Sequence, residues 1–277
     1  MHFGRAAERL YLSQSRVSQL LRSLEHRIGG QLVERTSRRV GLTPLGREFV
    51  ASLRPAYAAL ERVVDSTRQA ARGIEGRLRI GFQGTANDHI LKAVEAFQDE
   101  HPGWAIDVTE LPLNDPFTAL RRGEVDTAVV LLPVAEDDLV LGPVFSKQPQ
   151  TLTISTRHPL ATRTTLTAED LAETALISVS GPAPGYWRQA QAPAHTPGGT
   201  PIPPGPEVRT LQEGLSMIAS NRGGMLLCRP TAEYSRRADI VHLPISGLPD
   251  SALGLIWRRG EESPELKTLA ALAGWGA

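Results

Sequence analysis

Residues 13–28, SQSRVSQLLRSLEHRI, carry the side chains best placed to do chemistry with a macromolecular partner. At 100° per residue, Val17, Leu20, Leu21, Leu24 and Ile28 fall on one face of a helix. Ser15, Gln19, Arg22 and His26 point the opposite way, flanked by Arg16 and Ser18. Glutamine and arginine can each pair two hydrogen bonds with a purine edge in the major groove, and serine reaches base or phosphate. A helix N-terminus also favours phosphate contact. No acid stands between residues 13 and 24, where a carboxylate would repel a polyanion. The competing reading is an ordinary solvated surface helix, and spacing alone does not separate the two.

Other chemistry is weakly represented. The sequence has no G-x-S-x-G elbow, no G-x-x-x-x-G-K-[ST] phosphate loop and no H-E-x-x-H pair. The seven histidines are scattered, so neither a metal site nor a cofactor is expected, and no enzyme activity either. The single cysteine, Cys228, sits in the apolar run MLLC and reads as a small core residue, with a redox-sensing thiol as the sharper alternative. Carboxylate pairs such as Asp137–Asp138 and Glu261–Glu262 lie in polar stretches and read as solvated.

Charge is uneven. Residues 1–76 hold 13 arginines, no lysine and seven acids, a surplus of six on a chain whose formal net charge is zero. That pattern fits an anionic partner for one end only, or equally a solvated basic face. The opening residues lack an apolar signal core, and no run approaches a membrane span of about 18 apolar residues. A cytoplasmic protein without a membrane partner is expected.

The elements that must position these residues follow from local signals. Gly4–Leu10 reads as a short helix, YLS as a tight connection, and Ser13 as the N-cap of a helix that ends near Gly29–Gly30. Two short helices so joined make a helix-turn-helix pattern. QLVERTSRRVGLTP then reads as a two-stranded wing with an arginine-rich tip. Thr43-Pro44 starts a further helix running to about residue 72, roughly 40 Å long at 1.5 Å per residue. Leu45, Phe49, Leu53, Ala56, Leu60, Val63 and Thr67 recur at steps of four and three, a coiled-coil seam that calls for a partner chain. From RLRIGF (77–82) onward, strands and amphipathic helices alternate as β-α-β-α-β, which implies a parallel sheet with helices on its faces. TLTISTR begins a second such unit. Residues 181–206 hold eight prolines and five glycines and read as an irregular loop, in which Tyr186 and Trp187 either line a pocket or cover a lobe. LGLIWR is a late strand and PELKTLAALAGW a terminal helix.

The segment FGRAAERLYLSQSRVSQLLRSLEHRIGGQLVERTSRRVGLTPLG resembles the winged helix-turn-helix of LysR-type transcriptional regulators. The seam, LRIGF, LRRGEVDTAVV and the texture of 160–172 follow in the order of that family. The resemblance implies a mainly α winged helix-turn-helix domain (1–43), a dimerising linker helix (44–73) and a two-lobed α/β effector domain of type 2 periplasmic-binding-protein architecture (77–277). Lobe one would comprise about 77–146 and 247–277, and lobe two about 147–246. It implies a double-stranded DNA operator, a dimer or tetramer of the chain, a small-molecule effector and contact with RNA polymerase. The dimerising residues would be Leu45, Phe49, Leu53, Leu60 and Val63.

Carried over by position, the DNA-contacting residues would be Gln14, Ser15, Arg16, Ser18, Gln19 and Arg22 on the recognition helix. Arg35, Arg38 and Arg39 would belong to the wing, at phosphate or minor groove. The family often has Pro and Ala where this sequence has Ser15 and Arg16. It also opens with a further helix ahead of the segment matching FGRAAERL. Here the sequence opens almost inside the matching segment, so the expectation is either a misassigned start or a domain whose first helix is missing, which would expose Leu10, Leu21 and Leu24.

In open α/β sheets, ligands sit at the carboxyl ends of strands. QGTAND (83–88) follows the first strand of the effector domain and leads into a helix. Its glycine, hydroxyl and amide suit an anion such as a carboxylate, with helix capping by Thr85 or Asn87 as the plainer reading. By topology and resemblance the effector site would take Gly84, Thr85, Ala86 and Asn87 from this loop, and Asn114 and Asp115 from the next. Ser180, Gly181 and Pro182 would complete it from the second lobe, with Arg209, Thr210 and Gln212 as weaker additions. The expectation is therefore a bacterial regulator controlled by a small anionic effector bound between the lobes. The alternative is a small-molecule-binding protein of periplasmic-binding type whose DNA-binding domain is truncated and non-functional.

Overall fold

The computed structural model describes every residue except 1–3, 5, 6, 9, 36–39, 72–74, 86, 87 and 275–277. The chain forms two compact units, Met1–Val64 and Asp65–Ala277.

In the first unit, Gly4, Ala7 and Glu8 are helical. The Leu12 N–H donates to the Ala7 carbonyl at 2.9 Å, closing a turn at Leu10–Tyr11. Helix α1 is Gln14–Ile28. Ser13 caps it, its Oγ accepting from the Arg16 N–H at 3.2 Å, and Gly29 ends it in the left-handed conformation. The apolar face of α1 is only partly covered. None of its residues is fully buried; Leu20 is 46% exposed, and Val17, Leu21 and Leu24 are half-buried. Leu10 is 59% exposed.

Strands β1 (Val33–Arg35) and β2 (Val40–Leu42) pair antiparallel as the wing. Glu25 fastens this wing to α1: its Oε1 accepts from the Leu32 and Val33 N–H groups at 2.8 and 3.0 Å. Thr43 caps α2 (Pro44–Ala70), accepting from the Gly46 N–H at 2.9 Å. A Cβ on Gly46 would lie 2.0 Å from the Leu32 carbonyl oxygen, so only glycine lets α2 pass this close to the base of the wing. Along α2, Leu45, Leu53, Tyr57, Leu60, Val63 and Val64 are exposed, and Phe49 is half-buried.

The second unit has two lobes. Lobe one is built on a five-stranded sheet of β3 (Gly76–Gln83), β4 (Trp104–Leu111), β5 (Thr127–Leu131), β6 (Leu139–Gln148) and β13 (Ser251–Arg258), in the order β4-β3-β5-β13-β6. β3 is parallel to β4 and β5, as the alternating pattern implies. β13 is antiparallel to both neighbours. It joins the sheet after the chain has left for lobe two and returned, so its direction is set by the route of that return rather than by a local crossover. Helix α3 (Asp88–Glu100) packs Ile90, Ala93, Val94 and Phe97 against this sheet and against Leu266 and Leu269 of the terminal helix α8 (Pro264–Gly274). Burying each of the larger side chains, Ile90, Val94, Phe97, Leu266 and Leu269, contributes about 1.5–3 kcal/mol. The short helix α4 is Thr118–Arg121.

Lobe two carries β7 (Thr151–Ser155), β8 (Leu166–Thr167), β9 (Leu176–Val179), β10 (Pro204–Val208), β11 (Met225–Leu227) and β12 (Ile240–Ser246). Four of them form a sheet in the order β11-β7-β12-β8, and β10 pairs parallel with β9. Two short 3₁₀ turns, Pro159–Thr162 and Ala168–Glu173, flank β8. Three helices complete the lobe: α5 (Gly185–Gln191), α6 (Leu211–Ala219) and α7 (Arg229–Tyr234).

The proline-rich stretch 181–206 is thus no continuous irregular loop. It contains α5 and the start of β10. Proline and glycine spacing hid α5 because its stability comes from one buried tryptophan rather than from periodicity: Trp187 is 0% exposed.

Candidate DNA interface and effector cleft

The residues expected to read DNA share the exposed side of α1. Gln14, Ser15, Arg16, Gln19 and Arg22 are exposed, and Ser18 is half-buried. The first turn holds no acid, and His26 and Arg27 stand in the last. The Ser15 hydroxyl lies 3.0 Å from that of Ser13. The one acid of this helix, Glu25, is spent on the wing amides, so its charge is held by backbone donors at the end of α1 away from Gln14. Arg35 ends β1, while Arg38 and Arg39 fall outside the described residues.

The expected effector residues lie where the lobes meet. Gly84 follows β3 with φ +72, a conformation that disfavours side chains. Its missing Cβ would sit 3.4 Å from the Thr231 hydroxyl and 4.0 Å from Leu211, both in lobe two. Thr85 is half-buried, while Ala86 and Asn87 fall outside the described residues. Asn114 bridges the lobes: its amide donates to the Gly181 carbonyl at 2.9 Å and to the Ser180 hydroxyl at 3.2 Å. The Ala183 N–H returns a bond to the Asn114 carbonyl at 2.9 Å. The structure therefore brings Asn114, Ser180 and Gly181 together, and Pro182 follows them through a cis peptide. Asp115 has a local task, its Oδ1 accepting from the Thr118 N–H at 3.2 Å at the start of α4. Thr210 is similarly occupied as the cap of α6, in a reciprocal box with Glu213.

Helix α5 closes one side of this junction. Trp187 Nε1 donates to the Leu131 carbonyl at 2.8 Å, and Gln191 to the Leu132 carbonyl at 2.9 Å. The Tyr186 hydroxyl donates to Glu136 at 2.8 Å and accepts from the Ala135 N–H at 3.0 Å. Glu136 also pairs with Arg121, which grips Asp138 with two bonds of 2.7 Å and holds that carboxyl below its usual range. Tyr186 and Trp187 thus cover the joint between lobes. One apolar core crosses the same joint, from Phe117, Leu120 and Ile256 to Trp187, Leu211 and Leu215.

On the opposite side, the Tyr234 hydroxyl of α7 donates to Asp88, the first residue of α3. Cys228 precedes α7, 4% exposed, its thiol 3.1 Å from the Thr231 hydroxyl, and burial pushes its pKa up. That is the environment of a packed, unreactive thiol. Thr231 and Leu211 escaped the sequence reading because their approach to Gly84 depends on how the lobes dock. Glu25 left a signal, as the only acid on a helix with an otherwise basic and neutral polar face. Among the described residues, no group of three or more His, Cys, Asp or Glu is placed to hold a metal ion, and no helix is long and apolar enough to cross a membrane.

A capped helix with an acid-free first turn, a wing tied to it and a two-lobed α/β domain define a winged helix-turn-helix protein coupled to a ligand-binding fold. Residues 1–47 match the family described as bacterial regulatory helix-turn-helix protein, lysR family, and residues 71–274 match the LysR substrate binding domain. The chain belongs to the LysR family of transcriptional regulators.

The HTH-type transcriptional regulator IlvR of Caulobacter vibrioides is 29% identical, covering 98% of this chain and 92% of that protein. The Hca operon transcriptional activator HcaR of Escherichia coli is 27% identical with the same coverage. Among solved structures, CbnR, a LysR family transcriptional regulator, superposes with a TM-score of 0.70 at 19% identity, over 98% of this chain and 92% of that one. CbnR complexed with its target DNA gives 0.69 at 19% identity, over 98% and 93%. These two likenesses speak for the fold. The helix-turn-helix match favours the regulator over a binding protein with a non-functional amino-terminal domain.

Proposed function

We propose that the chain is a DNA-binding regulator in which Gln14, Ser15, Arg16, Ser18, Gln19 and Arg22 read an operator through the major groove. Arg35, Arg38 and Arg39 of the wing contact the backbone or minor groove. The observation that carries this reading is α1 itself, with its polar residues exposed and no acid in its first turn. The solved CbnR–DNA complex supports it by likeness of fold.

The exposed stripe of Leu45, Leu53, Leu60 and Val63, with Phe49 half-buried beside it, pairs two chains along α2, and the dimer can assemble further into a tetramer. A small anionic effector binds between the lobes among Gly84, Thr85, Asn114 and Ser180. There backbone N–H and hydroxyl donors serve a carboxylate through hydrogen bonds, while the Asn114 amide, committed to Ser180 and Gly181, positions that edge of the site. Asp88 already occupies the first turn of α3, so that helix end adds little to anion binding. The chain acts by binding rather than catalysis, in the cytoplasm, with RNA polymerase as the downstream contact.

The test is selection of target sequences from random duplexes with the full chain, followed by anisotropy titration. Gln19→Ala and Arg22→Ala should each cost about 1–3 kcal/mol of specific binding. Circular dichroism and oligomeric state should stay unchanged. Affinity should also fall steeply with salt, by about 0.9 log units per log unit for each phosphate contacted. Variants that bind the selected site as tightly as the parent would remove α1 from the role of reading helix.

A further inference from the structure

A cavity of about 640 Å³ opens in lobe two, and none of the residues expected in the effector cleft lines it. Its volume is that of a small-molecule site. Helix α7 is the wall between the two places. Thr231 faces Gly84 in the cleft, whereas Arg229, Ala232 and Glu233, one helical face away, line the cavity. Its apolar lining comes from Ala232, Ile240 and Pro244, the last two on the same face of β12 as His242.

The charge on the rim is unbalanced. Arg229, Arg236 and Arg237 line the cavity with one acid, Glu233. Arg229 pairs with Glu233 at 2.8 Å, and Arg237 grips Asp239 with bonds of 2.9 and 2.8 Å. Arg236 makes no hydrogen bond or ion pair with any described residue. A guanidinium with no acidic partner among the described residues, beside an apolar lining, can accept a carboxylate through two parallel hydrogen bonds.

A second group is also unsatisfied. His242 lines the cavity, its Nδ1 lying 2.9 Å from the Thr153 hydroxyl. Its Nε2 is buried and makes no hydrogen bond, although the Ser235 carbonyl nearby weakly favours a proton on the ring. Burial, aided by the charge of Arg236, holds the ring neutral. His242 therefore borders the cavity as a neutral ring with the Thr153 hydroxyl and the Ser235 carbonyl as polar neighbours, and its ring signal reports what enters.

We propose that this cavity is a second ligand site, separate from the cleft between the lobes, for a small organic monocarboxylate with an apolar body. Arg236 pairs with the carboxylate, and Ala232, Ile240 and Pro244 receive the hydrocarbon part. One free cation suits a monoanion better than a phosphate dianion, and three arginines around the rim exclude cationic ligands. Because α7 also carries Thr231 and Tyr234, ligand here bears on the helix that meets Gly84 and Asp88 across the cleft.

Phenylacetate is a sufficient probe of the class, and phenylacetamide is its neutral isostere. The readout is the ring signal of His242 in the full chain labelled at its seven histidines, assigned with a His242→Gln variant. Phenylacetate should shift that signal saturably, and phenylacetamide should bind about tenfold more weakly, as expected for loss of a charge-assisted bidentate pair. Arg236 is exposed, so Arg236→Gln should fold as the parent and weaken phenylacetate by a similar factor. Asn114→Ala, in the cleft, should leave the titration unchanged. The proposal is overturned if the His242 signal does not saturate, or if amide and acid bind alike. It is equally overturned if Arg236→Gln has no effect, or if Asn114→Ala abolishes the shift.

Discussion

Replacing Glu25 with alanine should release the wing. The Glu25 carboxylate accepts two backbone N–H bonds, from Leu32 at 2.8 Å and Val33 at 3.0 Å, and Leu32 is only 3% exposed. Hydrogen bonds to a charged acceptor contribute about 1.5–3 kcal/mol each, and a buried donor left unpaired costs its full desolvation. Water reaches the partly exposed Val33 amide and recovers part of that loss, so about 3 kcal/mol in total is expected. Hydrogen exchange in the full chain reads this locally: protection of the Leu32 and Val33 amides should fall about a hundredfold, since each 1.36 kcal/mol is a factor of ten. Amides of lobe one should not change. Glu25→Gln keeps an acceptor oxygen at the same reach but loses the charge, so it should cost about 1 kcal/mol, or roughly fivefold in protection. Unaltered protection in the alanine variant would refute the reasoning. A glutamine variant as damaged as alanine would show that charge, not acceptor position, holds the wing.

Other expectations follow from the same contacts. Gly46→Ala drives a Cβ to within 2.0 Å of the Leu32 carbonyl oxygen, which is backbone and cannot rotate away. About 2–3 kcal/mol of local destabilisation is expected, read as faster exchange at Val33 and Thr43; normal exchange there would mean that α2 shifts freely. Trp187→Phe removes the bond to the Leu131 carbonyl and part of a fully buried ring, and should cost about 2–4 kcal/mol in urea unfolding of the effector domain. A midpoint equal to the parent's would show that α5 does not hold the joint. Acid should weaken lobe two in two stages. Burial lowers the His158 pKa, so its contribution is complete above the ordinary histidine range and is lost as pH falls through that range. The Thr167 N–H holds the Asp170 carboxyl below its usual range, so that contribution persists to lower pH and is lost only below the ordinary carboxylate range. His242, also lowered by burial, adds to this stage, so a melting temperature for His158→Gln with the same slope between pH 7.5 and 5.5 as the parent would remove His158 from it.

Much of the DNA-binding half was legible residue by residue. Ser13, Gly29, Thr43 and Pro44 are capping and stop signals that act within one helical turn, so the bounds of α1 and the start of α2 followed from nearest neighbours. The parallel strands β3, β4 and β5 were legible for a similar reason: β3 and β4 place apolar residues at alternate positions, and β5 carries a short continuous apolar run. The polar face of α1 could be read from angle alone. Its covered face could not: the pattern marks Leu20 and Val17 alike, yet how far each is shielded depends on what packs there.

What the sequence by itself determined is therefore the capped helices α1 and α2, the parallel strands of lobe one, the family likeness and which polar side chains α1 turns outward, because these depend on spacing within a helix or strand. Only the tertiary structure decided that β13 enters between β5 and β6, that α5 forms inside a proline-rich stretch around one buried tryptophan, and that Asn114 reaches Ser180 and Gly181. It alone set Thr231 against Gly84 and placed Arg236, with no acidic partner among the described residues, beside His242. These are meetings between residues tens to more than a hundred positions apart, and no local propensity encodes them. They follow from the docking of two lobes through a shared apolar core, which chooses partners by shape and burial rather than by order along the chain.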